Sequence, residues 1–142
     1  MKVFKSTPTP EIESAWRSTA RIIEALHREV RSDRAGLLVA YIPSRMEVRD
    51  GDWQLTVLRH DLNEPVWDRG LVARRLSGIA SEAGVPFLDL TPDLLEAERG
   101  WGSPYYTHDG HWNALGHAVA AQAVERELRR LGWLPACSSA AD

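Results

Sequence analysis

Two short apolar runs constrain this chain more than anything else in it: Leu37 to Ile42, between Gly36 and Pro43, and Val85 to Leu90, behind Gly84. The first is continuous and the second is broken only by Asp89, so neither has the regular apolar and polar alternation of a strand with one wet face. Runs of this kind predict strands covered on both faces, the habit of parallel sheets. Parallel strands need a long crossover between them, and that connection is normally helical.

Helical patterns flank both runs. Thr9 and Pro10, with Glu11 and Glu13 in the first turn, start a helix because proline fits there and carboxylates favour the positive dipole end. Ile12, Trp16, Thr19, Ile23, Leu26 and Val30 then recur along one face, and Gly36 closes the segment. After the first run, Asp50-Gly51 suits a hairpin turn, while Asp52 suits the cap of a short helix using Trp53, Val57 and Leu58. The helix is preferred, since it lies between parallel strands. Asp68 is expected to cap the next helix, with Leu71, Val72, Leu76, Ile79 and Ala83 inward and Gly84 as the stop. Thr91-Pro92-Asp93 opens another, running to about Glu98. In the last, from Ala114 to Leu131, the side bearing Ala114, His117, Ala121, Val124, Leu128 and Leu131 is expected to face the core. The order predicts an α/β class with one right-handed crossover.

The 142 residues make one domain by length, expected as a single α/β unit over residues 1–135 with a flexible tail over 136–142. A formal net charge of -3 gives no electrostatic basis for binding nucleic acid or an anionic membrane. Cys137 is the only cysteine, which excludes an intrachain disulfide and a multi-cysteine metal site. No apolar run approaches the roughly 18 residues of a membrane span, and the start lacks a signal-peptide core, so the cytoplasm is the default compartment.

The chemistry gathers between Gly100 and Asn113. Asp109 and His111 are separated only by Gly110 and sit just before the last helix, so one short loop can present them as an acid and base pair. The loop follows a strand's carboxyl end, where open α/β sheets place their sites. Trp101, Tyr105, Tyr106 and Trp112 surround the pair. They could form a platform for a sugar or acyl chain, or seal the end of the sheet. The plainer alternative is turn and cap chemistry, for which Asn113 is a good N-cap. His117 is expected to be a packed, hydrogen-bonded core residue. A metal site from His108, Asp109, His111 and His117 has suitable donors. However, three of them on one tight loop do not turn easily to one point, so neither metal nor cofactor is expected.

The run Asp109-Gly110-His111-Trp112-Asn113-Ala114-Leu115-Gly116-His117 resembles the last conserved block of SGNH (GDSL-like) hydrolases, the serine esterases and acyl-transfer enzymes. It has the Asp-x-His-Trp form of their acetyltransferase-like, envelope-associated branch. The resemblance implies a three-layer α/β/α flavodoxin-like parallel sheet, His111 as general base, and Asp109 as the carboxylate that orients it. The implied substrate is a small-molecule or carbohydrate acyl ester. The sequence also departs from the family pattern. It has no Gly-Asp-Ser and no Gly-x-Asn-Asp, and its only asparagines are Asn63 and Asn113. The resemblance therefore covers roughly the second half of a family domain, and the sheet is expected to be incomplete. Its first strand would carry an unpaired edge open to docking or self-association. Ser44, just after the first run, is the one internal serine at the expected rim. Its surroundings, Ile-Pro-Ser-Arg, resemble no nucleophile elbow, and a capping role is its default. The implied function is ester hydrolysis or O-acyl transfer; the alternative is a non-catalytic binding or interaction domain.

Overall fold

The computed structural model describes residues 1–62 and 66–135; the expected tail over 136–142, with Cys137, lies outside them. The chain divides into two compact units, Met1–Thr91 and a second that begins at Pro92.

In the first unit, a 3-10 turn over Lys2–Phe4 precedes α1 (Pro10–Ser32), β1 (Val39–Tyr41), α2 (Arg45–Val48), α3 (Asp50–Arg59), α4 (Leu71–Glu82) and β2 (Phe87–Asp89). The strands are parallel and in register as Val39 with Phe87, Ala40 with Leu88 and Tyr41 with Asp89. The apolar runs thus form the parallel pair they predicted, with regular pairing confined to three residues in each. The core on one side joins Ile23 of α1, Ala80 of α4 and Val85, with Leu37, Val39, Leu76, Ile79 and Phe87 packed against them. Expected burial on both faces fails along β1: Ala40 is exposed and Ile42 is 59% exposed. The side chains of Ala40 and Ile42 alternate away from the face on which Val39 packs against the core, and β2 is the only strand paired with β1 among the described residues.

The helix boundaries show how local chemistry stops and starts each element. Gly84, at φ +67°, ends α4 by turning the Val85 amide onto the Ala80 carbonyl (2.8 Å) and its own amide onto Ser81 (3.1 Å), the left-handed helix stop that glycine favours. The stop of α1 comes two residues before Gly36, because Arg34 itself adopts φ +57° and the Ala35 amide reaches the Val30 carbonyl at 3.1 Å. Asp68 is not the N-cap of α4; Gly70 is, and Asp68 accepts from its amide at 3.1 Å while pairing with Arg74. The stretch after β1 is helical, as preferred, but α3 begins at Asp50, and Asp52 lies in its first turn paired with Arg45 at 2.9 Å.

Two polar ties hold the unit. Arg75 of α4 grips the Glu13 carboxylate of α1 at 2.5 and 3.2 Å. Hydrogen bonds from Arg75 hold that carboxyl below its ordinary range. The second is buried: Glu47 accepts from the Tyr41 hydroxyl, from the Ser44 amide at 2.8 Å and from the Ser44 hydroxyl at 2.7 Å. A buried carboxylate is tolerable only when donors replace its water, and these three do so.

The second unit contains α5 (Thr91–Gly100) and α6 (Ala114–Arg130), tied by Arg126 to both Asp93 oxygens at 2.8 and 3.0 Å. The buried side of α6 is Gly116, Val119, Ala120 and Ala123, not the side expected, and His117 and Ala121 are exposed. The rotation follows from size. A Cβ on Gly116 would lie 2.3 Å from the Pro104 carbonyl oxygen and 2.9 Å from Trp112 Cβ, so only the small-residue face lets the helix start seat beneath the preceding loop.

Candidate active site

The loop from Trp101 to Asn113 is folded by Asn113, which closes both its ends. Its Oδ1 accepts from the Gly116 amide at 3.1 Å, capping α6 as expected, while its Nδ2 donates to the carbonyls of Ser103 (2.7 Å) and Tyr105 (3.4 Å). Its amide bonds the Pro104 carbonyl at 3.0 Å. Tyr105 and Trp112 then meet as an antiparallel bridge, and the Tyr106 amide donates to the His111 carbonyl at 3.0 Å. The segment from Tyr106 to His111 is therefore a pinned hairpin tip.

At that tip Asp109 Oδ1 accepts the His111 backbone amide at 2.8 Å and lies 3.3 Å from the ring nitrogen Nδ1. The amide bond fixes the carboxylate beside the ring. A ring whose Nδ1 carries the proton toward Asp109 keeps its lone pair on Nε2, the nitrogen that can take a hydroxyl proton. The His111 side chain is 87% exposed and that of Asp109 56%, so the pair faces open space.

The structure distributes the other sequence candidates unevenly. Tyr105 is only 3% exposed and serves the ladder with Trp112, whereas Trp101 and Tyr106 are exposed. Trp112 is half-buried and edge-on to the His117 ring at a centroid distance of 5.7 Å. Contrary to expectation, His117 is thus a surface residue leaning on an indole. Ser44 belongs to the first unit, where it caps α2 in a reciprocal box with Glu47. The pattern Ser44-x-x-Glu47 was available in the sequence as a capping box. The role of Asn113 in holding the loop was only half visible, since its contacts to Ser103 and Tyr105 depend on loop closure. Among the described residues, no three His, Cys, Asp or Glu side chains gather as a metal-binding group, and no helix is long and apolar enough to cross a membrane.

The parallel strand pair with its helical connection is an α/β fold. Residues 4–140 match the family described as SGNH hydrolase-like domain, acetyltransferase AlgX, and the chain belongs to that family. Among solved structures it is similar to the O-acetyltransferase domain of Pseudomonas putida AlgJ, with a TM-score of 0.72 at 19% identity, covering 94% of this chain. The likeness is one of fold. This chain spans 45% of that one. No curated protein matches it.

Proposed function

We propose that this chain is the acid–base-bearing part of an SGNH-type O-acetyltransferase or acetyl esterase. Its two strands belong to a three-layer α/β/α flavodoxin-like sheet completed by polypeptide outside the described residues. The observation that carries this reading is the Asp109–His111 tip, with Nδ1 held 3.3 Å from the carboxylate and the rest of the ring open.

In the proposed reaction His111 Nε2 accepts the proton of a serine hydroxyl as the serine oxygen bonds to the acetyl carbonyl carbon of a donor ester. The tetrahedral intermediate collapses by breaking the bond to the donor oxygen, which leaves as an alcohol with the proton from the imidazolium. His111 next takes the proton of a carbohydrate hydroxyl, whose oxygen attacks the acetyl-serine. The new ester departs and the proton returns to serine. Water in the acceptor's place gives hydrolysis. Asp109 stabilises the imidazolium in both halves.

Ser44 donates its hydroxyl to Glu47, so the serine is assigned to the completing polypeptide, which also supplies the oxyanion donors. Trp101 and Tyr106 offer the exposed faces suited to a sugar ring. The test is acetyl transfer from 4-nitrophenyl acetate to a neutral oligosaccharide by the chain within its complete domain. His111→Ala should lower turnover by about 10²- to 10⁴-fold, the scale of a lost general base, while His108→Ala retains it. Turnover indifferent to His111 would favour the binding-domain alternative.

A further inference from the structure

The first unit carries a concave surface whose chemistry the proposed reaction does not use. The contacts of Glu13 with Arg75 and of His27 with Ala83 show that α1 and α4 run parallel and are tied at two levels. Arg75 holds the Glu13 carboxylate at 2.5 and 3.2 Å, and the His27 ring nitrogen Nδ1 lies 2.9 Å from the Ala83 carbonyl oxygen. Beside these ties the helices leave an open groove of about 430 Å³. That volume falls within the roughly 300–1,000 Å³ of small-ligand sites. Walls pinned in this way are in place before a ligand arrives, which lowers the cost of binding.

Gly78 helps to keep the groove open. Glycine inside a helix costs about 1 kcal/mol relative to alanine. At Gly116 that cost has a steric cause in the Pro104 carbonyl, whereas a Cβ on Gly78 would meet nothing within 4 Å. Among the described residues no packing contact demands glycine at 78, and its missing side chain leaves the α4 wall of the groove clear. The rest of the lining is selective. Trp16 offers a half-buried indole with Ala20 and Ile79 beside it, and the Arg75 guanidinium carbon lies 6.0 Å from the centroid of its ring. An indole with a guanidinium beside it is a stacking surface for a further flat group. Charge is uneven along the groove. Arg75 is neutralised by Glu13, and Arg74 on the same wall pairs with Asp68. Arg17, exposed on the α1 wall within electrostatic range of Glu13, forms no ion pair among the described residues and leaves this end with an excess positive charge. Glu82 stands at the other end, about two turns beyond Arg75 along α4.

We propose that the groove between α1 and α4 is a binding site for a planar aromatic acid with a single negative charge. Its ring lies on Trp16 and passes along Gly78, and its carboxylate is held between Arg17 and Arg74, one from each helix. Arginine suits this task because its planar fork of donors matches a carboxylate. Glu82 opposes a second negative charge on the ligand. A saccharide fits less well, because a sugar ring brings many hydroxyls that need acceptors. The acids in the lining are Glu13 and Glu82, and Glu13 is already held by Arg75. The site lies wholly in the first unit and does not rest on the acetyltransferase reading.

The probe is naphthalene-2-carboxylate, titrated into the present chain by calorimetry at low salt while the Trp16 indole is followed by NMR. It should bind one-to-one with a Kd below about 1 mM and shift the Trp16 resonance. Naphthalene-2-carboxamide lacks the charge and cyclohexanecarboxylate lacks the flat ring, and each should bind at least about 10-fold more weakly. Arg17→Gln, at an exposed position with no ion pair to lose, should weaken the probe by about 10-fold. Gly78→Leu should abolish binding while the urea midpoint holds or rises, since leucine favours helix and its side chain enters open space. Absence of binding, equal affinity for the amide or the cyclohexane acid, or binding unchanged by Arg17→Gln or Gly78→Leu would overturn the proposal.

Discussion

Two glycines inside helices should respond to alanine with opposite signs. At Gly78, in α4, an added Cβ meets nothing within 4 Å and faces an open groove of about 430 Å³ between α1 and α4. Gly78→Ala should therefore gain the difference in helix preference, about 1 kcal/mol. At Gly116, in α6, the same atom would sit 2.3 Å from the Pro104 carbonyl oxygen and 3.0 Å from Trp112 Cγ. The oxygen is backbone and already accepts the Asn113 amide, so relief means moving the loop or the helix start. Overpacking costs typically about 1–3 kcal/mol, and a backbone obstacle puts this case near the top. After the recovered helix preference, Gly116→Ala should lose about 2 kcal/mol. Urea unfolding followed by circular dichroism would show the midpoint rising for the first variant and falling for the second, with slopes unchanged. A Gly116→Ala protein as stable as the parent, or a destabilised Gly78→Ala protein, would refute the packing assigned to α6 and α4.

Three further outcomes follow from the polar ties. Tyr41→Phe removes one donor from the buried Glu47 carboxylate and should cost about 1.5–3 kcal/mol in urea unfolding. Asn113→Ala removes the cap of α6 and the bonds to Ser103 and Tyr105. The cap is worth about 1 kcal/mol, and the lost loop bonds should add to that figure and raise amide exchange at Tyr106. Glu13 has its folded pKa lowered by Arg75, so its contribution is present above the ordinary carboxylate value of roughly 4.3 and fades as pH falls through the lower folded value. Glu13→Gln should remove that part of the acid limb, as measured by urea midpoints between neutral pH and the acid transition.

How much of this was legible in the sequence depended on whether a feature was set locally. The strands announced themselves because Leu37 to Ile42 is a continuous apolar run and Val85 to Leu90 is one broken only by Asp89, and the crossover helices because their caps and periodicity are local. Exposure of Ala40 and Ile42 was not legible, since it depends on which neighbours the strand has. The turned face of α6 was missed because apolar counting rewards Ala121 and His117, whereas Gly116, Ala120 and Ala123 are buried. Gly116 is buried there for what it lacks. Arg34 took the left-handed position that Gly36 was expected to fill. At the candidate site, the spacing of Asp109 and His111 was enough to foresee their pairing. The bridge of Tyr105 with Trp112, which pins that tip, rests on carbonyls ten and eight residues from Asn113, beyond any short pattern.

In the proposed reaction Asp109 and His111 act as a unit, and a double-mutant cycle on acetyl transfer in the completed domain measures that directly. If Asp109 acts only through the imidazole, Asp109→Asn should slow turnover strongly in the parent and have little further effect once His111 is alanine, because residues of one unit are non-additive. Equal rate losses from Asp109→Asn in both backgrounds would show two independent residues and contradict the assignment.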